Sequence, residues 1–158
     1  TVTGGGADYA ELFQWADGGG NEDRTGLFVT LTAGDLIKVA ESGDEVLGVV
    51  SATACMIGGD PMDWHRRWLT DSLGRYLKNE DGSRVVNPQY RADEEYIPRS
   101  MRKEWGTIGL LGRLRVRDDG SCTVGGKCTV GNSGKATEGD RWIVLKRIDP
   151  EVVEILYR

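Results

Sequence analysis

The sequence predicts a mainly β fold: a compact antiparallel β domain with short hairpins and a polar, partly helical insertion at about residues 59–104. Three observations predict it, namely short apolar runs of strand length, 23 glycines against 4 prolines between those runs, and a polar middle segment. A length of 158 residues suits one domain with its own core. We therefore expect a flexible Gly-rich junction at 1–7 and a single domain at 8–158.

The segment 25–52 predicts three strands. Residues 27–31 alternate between apolar and polar side chains, as one strand with one buried face does. Residues 36–40 form a short apolar run after a Gly-Asp pair, and residues 46–51 form another after Ser-Gly-Asp. Such apolar runs between turn residues are typical of short strands.

The segment 105–126 predicts a further strand with one basic face. Leu114 and Val116 alternate with arginines at 113, 115 and 117, which gives a period of two. The pair Asp119-Gly120 follows, and this pair is typical of a hairpin turn.

The C-terminal part predicts more hairpins. The run GNSG at 131–134 predicts a turn between two short strands. Two closing strands are expected on either side of Asp149-Pro150. Residues 151–156 could instead form a short helix, but their β-branched content favours a strand.

The middle segment, 59–104, has a different pattern from the β-like segments on either side. Asp60-Pro61 resembles a helix start, and Trp64, Trp68 and Leu69 follow at helical spacing. We therefore expect one short helix in an otherwise irregular insertion, and no repeat of 20–50 residues is visible.

Composition argues against several kinds of site. A net charge of −5 is a poor basis for binding nucleic acid, and no apolar run is long enough for a membrane helix. One histidine, His65, and three cysteines without a C-x-x-C pair make a metal site improbable. The glycine-lysine pairs at 126–127 and 134–135 lack the remaining residues of a phosphate loop, so we interpret them as hairpin turns. We expect no cofactor and no metal.

The N-terminal segment is the remaining source of chemistry. Its carboxylates can form a solvated acidic surface with an arginine partner, or they can lie partly desolvated against a core and serve acid–base catalysis. The interleaved apolar side chains favour contact with a core. The acidic residues are Asp8, Glu11, Asp17, Glu22 and Asp23, followed by Arg24, and the apolar ones are Tyr9, Leu12, Phe13 and Trp15.

Several long blocks of the sequence occur together and in order. They are GADYAELFQWADG, NEDRTGLFVTL, EVLGVVSATA, WLTDSLGR, EYIPR, EWGTIGLLGRLRVRDDGSC and WIVLKRID. With these blocks the chain resembles the autoproteolytic intramolecular-chaperone domain at the C-terminus of bacteriophage tail spikes and neck appendages. The resemblance extends from about residue 6 to the end.

The resemblance implies a function. Such domains help a β-helical spike to fold and to form a homotrimer in the cytoplasm of the bacterial host, and then cut themselves off near their own N-terminus. An uncut domain would remain on the virion tail. The implied partners are other copies of the chain and the upstream spike of the same polypeptide, with no nucleic acid and no membrane.

The resemblance also implies site residues. The cut falls at the start of the D-Y-A-E block, here the Ala7–Asp8 bond, with Gly6–Ala7 as the nearest alternative. The family is treated as a glutamic-type peptidase, which points to Glu11 as general acid or base with Asp8 as its partner. Asp8 could instead attack the carbonyl that precedes it. Asp17, Glu22, Asp23 and Arg24 are further candidates, and a neighbouring chain could supply them.

The chain departs from some relatives at one position, and two alternative functions remain open. Some relatives carry Ser before the Asp of the block, whereas this chain has Ala7 and so lacks a hydroxyl nucleophile there. The domain could therefore be a non-catalytic trimerisation or capping module that stays on the spike. It could also be a glycan-binding tip, because five tryptophans and five tyrosines supply aromatic faces.

Overall fold

The computed structural model describes residues 6–60 and 66–158, and β-strands dominate it. The prediction of a mainly β, largely antiparallel domain is confirmed. The strands are β1 (Asp8–Trp15), β2 (Phe28–Leu31), β3 (Leu36–Val39), β4 (Gly48–Val50), β5 (Ala54–Gly58), β6 (Trp105–Arg117), β7 (Lys127–Val130), β8 (Ala136–Glu138), β9 (Trp142–Asp149) and β10 (Val152–Tyr157). Short 3₁₀ helices lie at Arg99–Met101 and Asn132–Gly134.

The described strands form one sheet in the order β5-β1-β3-β2-β4-β6-β10-β9-β7-β8. An additional pairing of β1 with β6 closes a ring through β1, β3, β2, β4 and β6. Strand β1 runs parallel to β3 and β5 and antiparallel to β6, while the other pairs are antiparallel. The N-terminal strand therefore pairs with β6 over most of its length on one side, and with β5 and then β3 at its two ends on the other side.

The core follows the alternation of these strands. One cluster fills the space between β9, β10 and the ring, and in it Trp142 stacks between Phe28 at 4.9 Å and Tyr157 at 5.1 Å between ring centroids. A second cluster surrounds Trp15 and Ile37. Burial of such large aromatic and branched side chains supplies most of the drive to fold.

The strands predicted from the alternation lie where they were expected. The three strands of 25–52 are β2, β3 and β4, the GNSG run is the turn between β7 and β8, and residues 152–157 form strand β10 rather than a helix. The arginines at 113 and 115 are exposed, and Leu114 and Val116 are buried.

The hairpin predicted at Asp119-Gly120 does not join β6 to β7. Strand β6 pairs with β10 at this end, and Asp118 forms a parallel bridge with Ala136. The reason is the buried carboxylate of Asp118, which binds the guanidinium of Arg147 from β9 at 2.9 Å. This ion pair directs the chain across the end of the sheet instead of back along β6.

The cysteines are free in the described structure. Cys122 and Cys128 are buried in the core, and Cys55 is half-buried. Burial raises the pKa of the Cys122 thiol to about 12 and that of Cys128 to about 11. These two thiols are therefore un-ionised packing groups at neutral pH.

The chain divides into two compact units: residues 1–59 with 99–158, and residues 60–98. The second unit corresponds closely to the predicted insertion, but the expected helix is not seen in its described part. Trp68 forms an isolated bridge with Val86, and Leu69 bonds to Val85. Trp64 and His65 lie outside the described residues. No helix in the described ranges is long and apolar enough to span a membrane.

The second unit is built on an eight-residue repeat that organises its turns. The runs WLTDSLGR, YLKNEDGS and RVVNPQYR begin at residues 68, 76 and 84. In each, Asp71, Asn79 or Asn87 starts a turn by accepting a backbone hydrogen bond at its carbonyl from the residue three positions on. Asp and Asn favour this position because their short side chains also bond the backbone of the turn.

Backbone hydrogen bonds close the three repeats into a ring. Leu77 donates to Leu69, Val85 donates to Leu77, and Leu69 donates to Val85. The bridges Thr70–Tyr76, Lys78–Arg84 and Trp68–Val86 repeat the same relationship between neighbouring runs. The unit thus has an internal pseudo-threefold arrangement of one short motif.

Candidate active site

The N-terminal end of β1 is held between two other strands. Asp8 is the register partner of Ala54 on β5 and of Gly112 on β6. One residue earlier, the backbone N–H of Arg113 donates to the carbonyl oxygen of Ala7 at 3.2 Å. The peptide bond between Ala7 and Asp8 therefore has fixed neighbours rather than the freedom of a linker.

Glycines make this close packing possible. Gly112 has φ +116°, and a Cβ there would lie 2.3 Å from the carbonyl oxygen of Ala7. A Cβ on Gly6 would lie 1.5 Å from the carbonyl oxygen of Thr53. Any side chain at either position would push the segment before Asp8 out of its place.

The Asp8 carboxylate is buried at this point. The residue is 1% exposed, and its Oδ1 accepts a hydrogen bond from the Thr53 hydroxyl at 3.0 Å. Its Oδ2 is buried without a hydrogen-bond partner in the described structure. A buried carboxylate oxygen that lacks a donor is costly, and such groups occur preferentially where chemistry requires them.

Glu11 faces the other way. Side chains alternate along β1, so Asp8, Ala10 and Leu12 share the buried face, and Glu11 lies with Tyr9 on the opposite one. The Tyr9 hydroxyl donates to Glu11 Oε1 at 2.5 Å. This hydrogen bond, with desolvation and the charge of Glu11, raises the pKa of Tyr9.

Glu11 follows Asp8 by three positions along the strand, a rise of about 10 Å. The two carboxylates therefore do not meet beside the Ala7–Asp8 bond within one chain. The sequence-based idea that the chain turns to bring Glu11 onto its own bond does not fit a β-strand at these positions.

Two of the further candidates surround Arg24 at the other end of β1. Its guanidinium binds Asp17 at 2.5 Å, contacts Glu22, and stacks over Trp15 at 4.4 Å. Hydrogen bonds from Arg24 and Gly19 lower the pKa of Asp17 to about 2. The pKa of Glu22 is also lowered, by a backbone hydrogen bond and by Arg24.

Asp23 forms a separate ion pair with Arg117 at 2.8 Å, and its pKa is lowered by hydrogen bonds from Thr25 and by that arginine. Strand β1 separates Asp8 from Trp15 by a rise of about 23 Å. Arg24 stacks on Trp15, so the Arg24 cluster lies far from Asp8 within one chain. The contacts of the Arg24 cluster stabilise the loop that follows β1.

The feature of the site that could take part in chemistry is the Ala7–Asp8 peptide bond. The exposed Ala7 leaves one side of the bond open to water, while the Asp8 side chain is enclosed. One backbone N–H from Arg113 already polarises the carbonyl, as donors of an oxyanion site do. A free carboxylate oxygen belongs to the residue whose nitrogen would be the leaving group.

Sequence reasoning missed Thr53, Arg113 and Gly112. No local motif marks them, because they join the site through pairing of strands that are distant in the sequence. The glycines at 109 and 112 within an otherwise bulky strand were the available signal, since glycine in a strand often marks a close backbone approach.

The comparison with known families identifies the class of domain to which this chain belongs. The sequence model of the family Peptidase_G2, IMC autoproteolytic cleavage domain, matches residues 1–152. The chain belongs to this family of autoproteolytic domains, and the resemblance stated from the sequence is confirmed.

Related proteins come from Bacillus and its phages. The chain is 38% identical over 166 residues to the pre-neck appendage protein of Bacillus phage phi29, a match that covers 98% of this chain and 19% of that protein. It is 34% identical over 152 residues to the putative phage-related protein YobO of Bacillus subtilis, which covers 87% and 18%. The chain spans about a fifth of the length of the curated relatives it matches.

Two solved structures share the fold. The structure of pre-mature bacteriophage phi29 gene product 12 has a TM-score of 0.85 at 34% identity, covering 100% of this chain and 22% of that one. Its C-terminal fragment has a TM-score of 0.81 at 33% identity, covering 96% and 100%.

Proposed function

We propose that this chain is the C-terminal intramolecular chaperone of a phage appendage or tail spike. In this role it promotes folding and homotrimerisation of the upstream part of the polypeptide, and then removes itself by one cut at the Ala7–Asp8 bond. The family membership supports the autoproteolytic role. The expected site of action is the host cytoplasm during virion assembly.

The observation that carries the proposal is the buried, half-satisfied carboxylate of Asp8. Its Oδ2 has no donor within the described structure, and the preceding carbonyl accepts a hydrogen bond from Arg113. Burying such a group without use would cost stability with no return. A role in breaking the adjacent peptide bond accounts for both the burial and the missing donor.

Asp8 can act as the nucleophile. Attack of its Oδ2 on the carbonyl carbon of Ala7 transfers the acyl group from nitrogen to oxygen through a cyclic intermediate. The Asp8 nitrogen takes a proton, which Glu11 of a neighbouring copy relays from solvent, and leaves as an amine, which breaks the C–N bond. Water then hydrolyses the mixed anhydride, giving the Ala7 carboxylate and restoring that of Asp8. This route needs no hydroxyl at position 7.

Glu11 fits as the proton-transferring group when it is supplied by a neighbouring copy. Its position on the face opposite Asp8 favours action between chains over action within one chain. In a cyclic homotrimer each chain presents one surface to one neighbour and a different surface to the other neighbour, so each chain would receive one Glu11 and give one. Cleavage would then wait for assembly, as a chaperone that acts once requires.

Glycan binding has less support. The aromatic faces of Trp68, Tyr76 and Tyr90 are already stacked with the guanidinium groups of Arg67 and Arg84, at 4.0 to 5.9 Å from the ring centroids. A sugar would have to displace these contacts before it could stack.

The test uses the chain with its upstream segment, as wild type, Asp8→Asn and Glu11→Gln. The wild type should form a trimer and release a fragment that begins at Asp8, while both variants should form an uncut trimer by light scattering and intact mass. An uncut wild-type trimer would instead make the domain a permanent assembly module.

A second arm separates action within a chain from action between chains. A tagged Glu11→Gln chain is co-expressed with an Asp8→Asn chain, which keeps Glu11 but cannot use its own Asp8. Cleavage of the tagged chain only in the mixture supports Glu11 from a neighbour. The absence of cleavage in mixed trimers would overturn that assignment.

A further inference from the structure

We propose that Thr53 is a positioning residue for the self-cleavage, and that the backbone around it makes glycine at position 6 a requirement of the reaction. This inference rests on the proposed cut at Ala7–Asp8. It concerns the segment 51–54, which leads into β5 and contacts both sides of that bond.

Thr53 orients the carboxylate of Asp8. Its hydroxyl donates to Oδ1 at 3.0 Å, while Oδ2 remains buried and without a donor. A hydrogen bond to one oxygen restricts rotation of the carboxylate, so the other oxygen is held in one orientation. Fixed orientation of a reacting group is worth a large rate factor, and a misplacement of about 1 Å can cost about 100-fold.

Thr53 is itself held in place through Ser51. Its backbone N–H donates to the Ser51 hydroxyl at 3.1 Å, and the Ser51 N–H donates to the carbonyl of Thr107 on β6 at 2.9 Å. Strand β6 also supplies Arg113, whose N–H binds the carbonyl of Ala7. The same strand thus fixes the carbonyl that would be attacked and, through Ser51, the hydroxyl that orients Asp8.

The backbone of Thr53 restricts the residue two positions before the cut. A Cβ on Gly6 would lie 1.5 Å from the Thr53 carbonyl oxygen and 3.0 Å from the carbonyl carbon of Ala54. Both are backbone atoms, so rotation of a side chain cannot relieve the overlap. Ala54 is also the register partner of Asp8, and a shift that admits a methyl group would therefore move Asp8 as well.

The first experiment follows the first-order rate of self-cleavage in the full-length precursor made by cell-free translation. Thr53→Val keeps the shape and removes the donor, and Thr53→Ser keeps the donor. We expect Thr53→Val to slow cleavage by about tenfold or more and Thr53→Ser to restore most of the rate. Thermal unfolding and light scattering on uncut Asp8→Asn versions check that each variant folds and assembles.

The second experiment compares Gly6→Ala with Gly4→Ala, which adds the same methyl group within the same run of glycines. Gly6→Ala should slow cleavage by about 100-fold, and Gly4→Ala should leave the rate within about twofold of wild type. Equal rates for the two variants would overturn the requirement for glycine at position 6.

The outcomes separate the inference from the function beneath it. A wild-type precursor that is never cut would overturn the proposed function together with this inference. Cleavage of wild type and Thr53→Val at one rate would overturn only the role of Thr53. Equal slowing in Thr53→Val and Thr53→Ser, with both folded, would also overturn it, since the hydroxyl would then not be responsible.

Discussion

Asp8 and Glu11 lie three residues apart on strand β1 and project from its opposite faces. One strand therefore cannot bring both carboxylates to the same peptide bond. The buried one adjoins the proposed cut, and the other is bonded to Tyr9 on the outer face. This separation suits a reaction in which one copy of the chain provides the Ala7–Asp8 bond and a neighbouring copy provides Glu11.

Asp8→Asn should abolish self-cleavage and leave the fold intact. Asparagine keeps an oxygen that can accept the Thr53 hydroxyl hydrogen bond but removes the reactive carboxylate oxygen. A time course of the precursor on a denaturing gel should show no fragment within many wild-type half-lives. Cleavage of this variant at more than about a hundredth of the wild-type rate would contradict a direct role for Asp8.

Gly112→Ala should destabilise the domain more than an alanine at an unhindered glycine. The new Cβ would meet the Ala7 carbonyl at 2.3 Å in a backbone conformation, φ +116°, that favours glycine. We expect a loss of about 2–3 kcal/mol in the free energy of unfolding. Gly120→Ala, at φ +91° in open space, is the control and should lose about 1 kcal/mol. Urea unfolding measures both, and equal losses would argue against a close contact at Ala7.

Asp118→Asn should weaken the end of the sheet where β6, β8 and β9 meet. The Asp118 side chain is fully buried, and Arg147 binds its two oxygens at 2.9 and 3.2 Å. Loss of the negative charge leaves that guanidinium with only the backbone carbonyls of Cys122, Asp149 and Pro150 as partners, so the free energy of unfolding should fall by about 1–2 kcal/mol. The exposed Asp140→Asn removes the same charge elsewhere and should be neutral in chemical unfolding. A neutral Asp118→Asn would show that the ion pair does not hold this corner.

Acid should remove a contribution of Asp17 to stability. The folded-state pKa of Asp17 is about 2, below its ordinary value of 3.8, so the unfolded chain takes up this proton first. The contribution is complete above about pH 4 and disappears as the pH falls toward 2. The loss is small, because the Asp17 side chain is 56% exposed and screened. The thermal midpoint of Asp17→Asn should fall less steeply than that of wild type across this range. Identical slopes would contradict the pairing with Arg24.

Much of the sheet could be predicted from the sequence because alternation is a local signal. Strands β2, β3, β4, β9 and β10 follow apolar periodicity and turn residues. Strand β1 was harder, because its buried face begins with Asp8, and a charged residue in that register hides the period of two. Its contact with the core was nevertheless predictable from Leu12 and Trp15, which are buried.

In the insertion, residue spacing alone led to the prediction of a helix that the described residues do not form. Trp64, Trp68 and Leu69 have helical spacing, yet Trp68 and Leu69 belong to an eight-residue repeat whose turns set the backbone. Glycines at 74 and 82, with φ +81° and +84°, mark the same turn in two repeats. Comparison of the runs with one another, rather than with a helix template, would have revealed the motif.

The candidate site could be only partly predicted from the sequence. Asp8 was singled out through the family resemblance, but its burial and its contact with Thr53 depend on a segment 45 residues away in the sequence. The position of Glu11 on the opposite face could not be inferred without knowing that residues 8–15 form a strand.

The most direct test of the account is the N-terminal residue of the fragment that the wild-type precursor releases. Intact mass spectrometry of that fragment should give the mass of a chain beginning at Asp8. A fragment beginning elsewhere, or a precursor that assembles and is never cut, would contradict the assignment of the Ala7–Asp8 bond and of Asp8 as the reacting residue.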